Sequence, residues 1–445
     1  MYIIRTSYIL RALSICILIL LLSSCSKETS KEKIVDSSVP KEVTLTFWFD
    51  NAGPSRTAIW KELITAFERE YPHIHIEYEG FVKDIAKTKF NSAIAMYEPP
   101  DVASIYTSWL QEFAYREALV PLDSYFEEWI ERDEIDASII EYNRSLSSDH
   151  TLYGLPYTQN LDVLWVRKDW MEQHHITNIE TWDDFFYTVQ AFTNKEQQKY
   201  GFSIRGGEGS SLQLQRMMYA YSGISTYIEN GESTIDDPRH VEFLKKYLSL
   251  YNKNTSKNDI VKDYKEMLVD FESGAVGMIQ HNIGSFEEHR QVLSSTQFQA
   301  LPLPKSTNGH YVAEAGNTMD MVMFNSTEHP EEAWAFISFI ASPKGQSIWN
   351  EHVGQLPTHE DVLQEDWVQR LPHLQTALSV YNDPNTIMYE PPFYLIAYNT
   401  IRFTIVEPGL QEVLSGTKTI EQFLKEWSEA VEYEYSQYEK YVGEM

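Results

Sequence analysis

Cysteine is almost absent from this chain: there are two, Cys16 and Cys25, both near the N-terminus. Whatever folds beyond them folds without a disulfide, which excludes the small cross-linked scaffolds of secreted proteins. Basic charge is also scarce, with 36 Lys and Arg against 65 Asp and Glu and a net charge of −29. Nucleic-acid binding needs basic patches to neutralise phosphates, so that class is set aside. The same balance gives no support to anionic substrates. No Gly/Pro-rich linker divides the chain, and no solenoid or propeller period is present. The HExxH and G-x-S-x-G motifs are missing, and no Cys lies beyond the N-terminal segment to act as a nucleophile.

What is there begins with the N-terminus. Arg5 and Arg11 flank Ala12 to Leu22 (ALSICILILLL), an apolar stretch of 11 residues, and Ser23-Ser24-Cys25 closes it with small side chains. A bilayer span needs roughly 20 apolar residues, so residues 1–24 read as an export signal. Leu22-Ser23-Ser24-Cys25 resembles the bacterial lipobox, whose cysteine is diacylated and becomes the mature N-terminus. Two acyl chains anchor stably where one holds only marginally. Residues 25–42 are polar and low in bulky apolar side chains, as expected of a flexible tether. The protein is therefore expected at the outer face of the cytoplasmic membrane, held by lipid on Cys25.

Beyond the tether, short apolar runs alternate with helical patterns. Val43 to Phe49 (VTLTFWF) alternates and predicts a strand, and Arg56 to Tyr71 follows with Ile59, Leu63, Ile64 and Phe67 at helical spacing. His73 to Tyr78 and Asp101 to Tyr106 predict two further strands, separated by a helix from about Ile85 to Met96. Later, Thr181 begins a helix through Phe192, with Asp184 at the capping-box position. Pro330 to Ala341 (PEEAWAFISFIA) predicts a helix with proline in its first turn, and Thr419 to Tyr441 an aromatic-rich helix. Such alternation predicts an α/β fold with a parallel sheet.

The order of several motifs resembles the extracellular solute-binding proteins of bacterial sugar ABC importers, the branch that includes maltose-binding protein. Thr46-Phe47-Trp48-Phe49 is similar to that family's first strand, and Phe67 to Pro72 (FEREYP) to the end of its first helix. Pro100-Asp101-Val102 with Leu119 to Asp123 (LVPLD) follows. Then come Tyr153 to Tyr157 (YGLPY), Leu164 to Asp169 (LWVRKD), Thr181 to Phe185, Phe271 to Met278 (FESGAVGM), Ala333 to Phe336 and Gly354 to Pro357 (GQLP). Each motif alone is common; their shared order runs from about Val43 to Tyr441. The resemblance implies two α/β lobes joined by about three crossing strands, with lobe one at 43–153 plus 305–365 and lobe two at 154–304 plus 366–445. It also implies closure around a solute, no cofactor or metal, a monomer, and ABC permease subunits as partners.

A sugar needs aromatic platforms for its C–H faces and fixed polar groups for its hydroxyls. Trp48, Asp50 and Asn51 end the first strand, and Tyr106, Ser108 and Trp109 the third, where open α/β sheets bind ligands. The family geometry puts Tyr157, Gln159, Asn160 and Asp162 at the first crossing, where carboxamides suit hydroxyls. Glu208 lies in a Gly-rich stretch, Arg205 to Ser211. Asn282 follows the FESGAVGM strand, where the family's usual Trp is missing, and Asn317 lies in a Gly-containing turn. Tyr389 and Phe393 flank Pro391-Pro392, which holds the backbone extended. Two other readings remain open. A secreted glycosidase needs two carboxyl groups about 5–10 Å apart, which nothing marks. The same fold could bind a non-sugar solute such as a polyamine or peptide.

Overall fold

The computed structural model describes residues 41–444. The expected leader (1–24), its Cys25 and the tether as far as Pro40 lie outside the described residues. Val43 to Met445 forms a single compact unit. Among the described residues, no helix is long and apolar enough to cross a membrane.

Twelve strands organise the described residues: β1 (Val43–Phe49), β2 (Ile74–Gly80), β3 (Val102–Tyr106), β4 (Leu155–Gln159), β5 (Asp162–Arg167) and the short pair β6 (Ile228–Glu229) and β7 (Glu232–Ser233). Then come β8 (Met278–Asn282), β9 (Phe298–Pro302), β10 (Val312–Glu314), β11 (Thr318–Met323) and β12 (Ile387–Tyr389). The main sheet has the order β2-β1-β3-β11-β4. Its β1, β2 and β3 are parallel, as their connection by helices requires. β11 enters antiparallel to both β3 and β4, so this sheet is mixed rather than parallel. A second sheet, β8-β5-β9, is antiparallel throughout, and β10 pairs in parallel with β12.

The alternation in β1 buries Val43, Leu45, Phe47 and Phe49 on one face. The helix Pro54–Glu70 lays Ile59, Trp60, Leu63, Ile64 and Phe67 against them, the spacing that one face of a helix provides. Rings meet edge-on or tilted there, with Phe47 to Trp60 at 4.6 Å and Trp60 to Trp349 at 4.9 Å between centroids. Thr181 caps the helix Trp182–Phe192 through a complete capping box with Asp184. Thr181→Ala removes one arm and is expected to cost about 1 kcal/mol, with Thr181→Ser nearly neutral. A denaturation midpoint unchanged in the alanine variant would refute this.

Three segments pass side by side from the main sheet toward the second. After β4 the backbone of Gln159 exchanges hydrogen bonds with Leu356 at 2.7 and 3.1 Å, and Asn160 N donates to Asn317 O at 2.8 Å. β4 belongs to the main sheet, so the first passage falls at Asn160-Leu161 rather than after Tyr153. β10 lies beside β12, so the return falls at Ala315 to Asn317 rather than after Pro304. Apolar runs mark strands, but they do not say which sheet receives them.

Candidate functional site

The chain crosses over where a cleft forms, a cavity of about 490 Å³ with walls from both sheets. One wall is the end of β3 and the turn after it, where Tyr106, Ser108 and Trp109 face the cavity. The crossings supply Asn160, Asp162 and Asn317, and the end of β8 supplies Asn282. Glu208 and Phe393 complete the expected residues that the structure brings together here.

Six expected residues stand elsewhere. Trp48 packs edge-on against Phe81 and Phe90, at 4.9 and 5.4 Å, on the face of β1 opposite Phe47 and Phe49. Asp50 is fully buried and accepts from Tyr106 N at 3.2 Å, while Asn51 Nδ2 donates to Tyr106 Oη at 3.0 Å. Both serve the cavity by holding Tyr106, from behind its wall. Tyr157 is fully buried between Trp60 and Trp349, its hydroxyl 2.9 Å from Ser104 Oγ. Its position in β4 points it into the core, because strand residues alternate and the neighbouring register is set by β11. Tyr389 lies inside a stack with Tyr219 and Tyr227, centroids 5.3 and 4.4 Å apart. Its hydroxyl donates to Glu314 Oε2 at 2.6 Å. Gln159 lies outside the cavity lining as well.

Charge is what the sequence reading missed. Lys83, Lys87, Arg205, Arg216 and Arg402 all line the cavity of a chain that is strongly acidic overall. Arg216 pairs with Asp162 at 3.0 Å and clamps Glu314 with two bonds of 2.6 and 2.9 Å. Burial alone would lower the Arg216 pKa, but the two carboxylates outweigh it and hold the guanidinium charged. Glu314 shows the converse: burial is outweighed by Arg216 and by the Tyr389 hydroxyl, and its pKa falls. Asp162, which also accepts from Gln280 and Asn317, is raised because burial outweighs Arg216 and those hydrogen bonds. Lys87 pairs with Glu112 at 2.5 Å. Burial and the neighbouring Arg205 pull Lys83 down to about 7, and burial pushes Asp50 up to about 7. Among the described residues no group of three or more His, Cys, Asp and Glu is placed to hold a metal ion.

A late aromatic also escaped notice. Helix Tyr398–Ile401 runs into a π-helical turn, Arg402–Val406, before helix Glu407–Ser415. Such bulges re-aim side chains and cluster at functional sites. This one turns Asn399, Arg402 and Phe403 to the cavity, with Phe403 45% exposed. Where the family pattern has a Trp, His281 stacks face to face with Tyr264, centroids 5.4 Å apart and 4° between planes.

A family model described as bacterial extracellular solute-binding protein matches residues 53–347, about two thirds of the chain. The chain belongs to the bacterial extracellular solute-binding proteins. Its relatives in that family are distant. A Brucella abortus protein named as a binding protein is 24% identical over 312 residues, 69% of this chain and 74% of that one. The multiple sugar-binding protein of Streptococcus mutans is 21% identical over 334 residues, 73% and 76% of the two chains. In structure, the ABC transporter solute-binding protein of Thermotoga lettingae, bound with α-D-tagatose, superposes with a TM-score of 0.78. It shares 22% identity over 89% of this chain and 100% of that one. The two-lobed α/β architecture of solute-binding proteins is thus this chain's fold, with the cleft and its crossings between the lobes.

Proposed function

We propose that this protein is the receptor of an ABC importer, anchored by diacylated Cys25, that captures a carbohydrate between its lobes and delivers it to a membrane permease. The cavity carries the reading. It takes walls from both sheets at the crossings, and its lining brings together the rings of Tyr106, Trp109, Phe393 and Phe403 and the carboxamides of Asn160, Asn282 and Asn317. Rings accept the C–H faces of a sugar, and carboxamides donate to and accept from its hydroxyls. A Streptococcus mutans relative named for sugar binding and a structural neighbour bound with tagatose support it. Capture rather than turnover is favoured because Asp162 and Glu314 both hold Arg216 instead of standing free as an acid–base pair. Closure of the lobes on the bound sugar excludes water, and the closed monomer is what a permease recognises.

A thermal-shift screen against mono- and oligosaccharides tests this, since a ligand of the native state raises its stability by mass action. No shift from any saccharide would sink it. Phe403 is the platform to remove first, because its exposure makes truncation harmless to the fold. Phe403→Ala is expected to weaken saccharide binding about tenfold or more with an unchanged melting temperature. Calorimetry showing equal affinity would remove the ring from the site. Cys25→Ser is expected to release the protein from membranes into the soluble fraction.

A further inference from the structure

We propose that the captured saccharide is anionic, its carboxylate or its phosphate or sulfate ester seated between Lys83 and Arg205. This rests on the sugar-capture reading above and narrows it.

The two cations come from opposite sides of the cleft. Lys83 opens the helix Lys83–Ala95 that follows β2 of the main sheet. Arg205 precedes the helix Ser210–Ser222, on the side of the second sheet. Both reach the same ring: Lys83 Nζ lies 5.4 Å and the Arg205 guanidinium carbon 5.6 Å from the centroid of Tyr264. Tyr106 adds a second ring 5.1 Å from Lys83 Nζ. Like charges so placed repel, and this repulsion adds to burial in depressing the Lys83 pKa.

Neither cation has an ion-pair partner among the described carboxylates, whereas Lys87 and Arg216, which line the same cavity, both do; Arg402, also without an ion pair, donates instead to Ser211 Oγ and Asn399 Oδ1. Arg205 donates only from Nε, to Glu208 O at 2.5 Å, and its two Nη groups are left over. Of the nearby carboxylates, Glu208 is exposed and lines the cavity without pairing with either cation, and three others are engaged elsewhere. Asp50 accepts from Tyr106 N, Glu407 accepts from Gly209 N and Ser211 Oγ, and Asp263 caps the helix Tyr264–Ser273. A largely buried, unpaired cation is costly. Two of them, facing one cavity from opposite lobes, are accounted for by a solute that brings the missing negative charge and holds the lobes closed.

The loop around Arg205 is built for this. Gly209 has φ +73°, and a Cβ there would stand 2.1 Å from Arg205 Nη2. Glycine therefore lets the guanidinium of this cavity-lining arginine lie across the turn. Gly206 and Gly207 answer to a different neighbour, since a Cβ on either would stand 2.5 or 2.3 Å from the backbone oxygen of Asp259 or Val261.

The test is calorimetry on the full chain, purified in a detergent without sugar headgroups, at pH 6.5 and constant ionic strength. Glucuronate, galacturonate and their disaccharides are compared with glucose, galactose and the matching neutral disaccharides. Glucose 6-phosphate, glucose 6-sulfate and inorganic phosphate separate the possible sources of the charge. An acidic saccharide is expected to bind at least about 30-fold more tightly than its neutral counterpart. Lys83→Met and Arg205→Met are each expected to lose at least about 30-fold for the acidic form and less than about threefold for the neutral one. Lys83→Met guards against a folding defect in the Arg205 variant. A neutral saccharide binding as tightly as any acidic one overturns the inference and leaves sugar capture standing. So does unchanged acid affinity in both variants, or binding of inorganic phosphate alone. If no saccharide of either kind binds, sugar capture fails too.

Discussion

Arg216→Met is expected to destabilise the protein by about 3–5 kcal/mol, the cost of breaking a buried ion pair from one side. Methionine fills much the same volume, so the loss isolates the charge. It strands Asp162 and Glu314, whose side chains are 7% and 5% exposed, with no cation between them. The penalty should depend on pH in a defined direction. With Arg216 present, Glu314 is held below the ordinary carboxylate range, so it stabilises the fold above its unfolded pKa and loses that contribution as pH falls. Without Arg216, burial prevails over the hydrogen bonds from Tyr389, Asn317 and Gln280 and raises both carboxyl groups, so stability is lost as pH rises through their folded values. The gap between variant and parent is therefore expected to widen from pH 4.5 to pH 8 in urea denaturation. A deficit below about 1 kcal/mol, or one that narrows with rising pH, would show that the triad is not a net source of stability.

Gly316→Ala is expected to be nearly as harmful, at about 2–4 kcal/mol. Gly316 sits in the second crossing, between β10 and β11, at φ +60°. A Cβ there would stand 1.8 Å from Cε1 of Tyr142, a ring only 8% exposed and so without room to retreat. Backbone strain and steric clash both contribute, and Gly309→Ala separates them. Gly309 has φ +82°, and a Cβ there would meet nothing within 4 Å, so it reports strain alone. About 1 kcal/mol is expected there. Equal losses in the two variants, measured by thermal unfolding, would mean that the Tyr142 ring yields and the crossing is not tightly packed.

Much of the architecture was legible in the chain itself. VTLTFWF and PEEAWAFISFIA have the bounds that their periodicity predicts, because one buried face imposes period 2 on a strand and 3.6 on a helix. Thr181 and Asp184 announce their capping box because all its partners lie within three residues. The order of family motifs located the cleft through the ends of β3 and the crossings. The antiparallel insertion of β11 was not legible: all six of its residues are buried, and a strand covered on both faces has no alternation to read.

The site divides in the same way. Sequence alone determined the acidic balance of the chain, its lack of structural cysteine, the alternating elements and the polar residues at strand ends. Tertiary structure decided which of those residues meet. Tyr157 and Tyr389 turned into cores while Phe403 turned out, since a side chain's direction depends on the register and bulges of elements far along the chain. Arg216 finds Glu314 across 98 positions, and Lys83 finds Arg205 only through a shared ring. Net charge is a sum over the whole surface, whereas the potential in a cleft depends on the few charges folding gathers there. That is why so acidic a chain closes on a cavity lined by five cations.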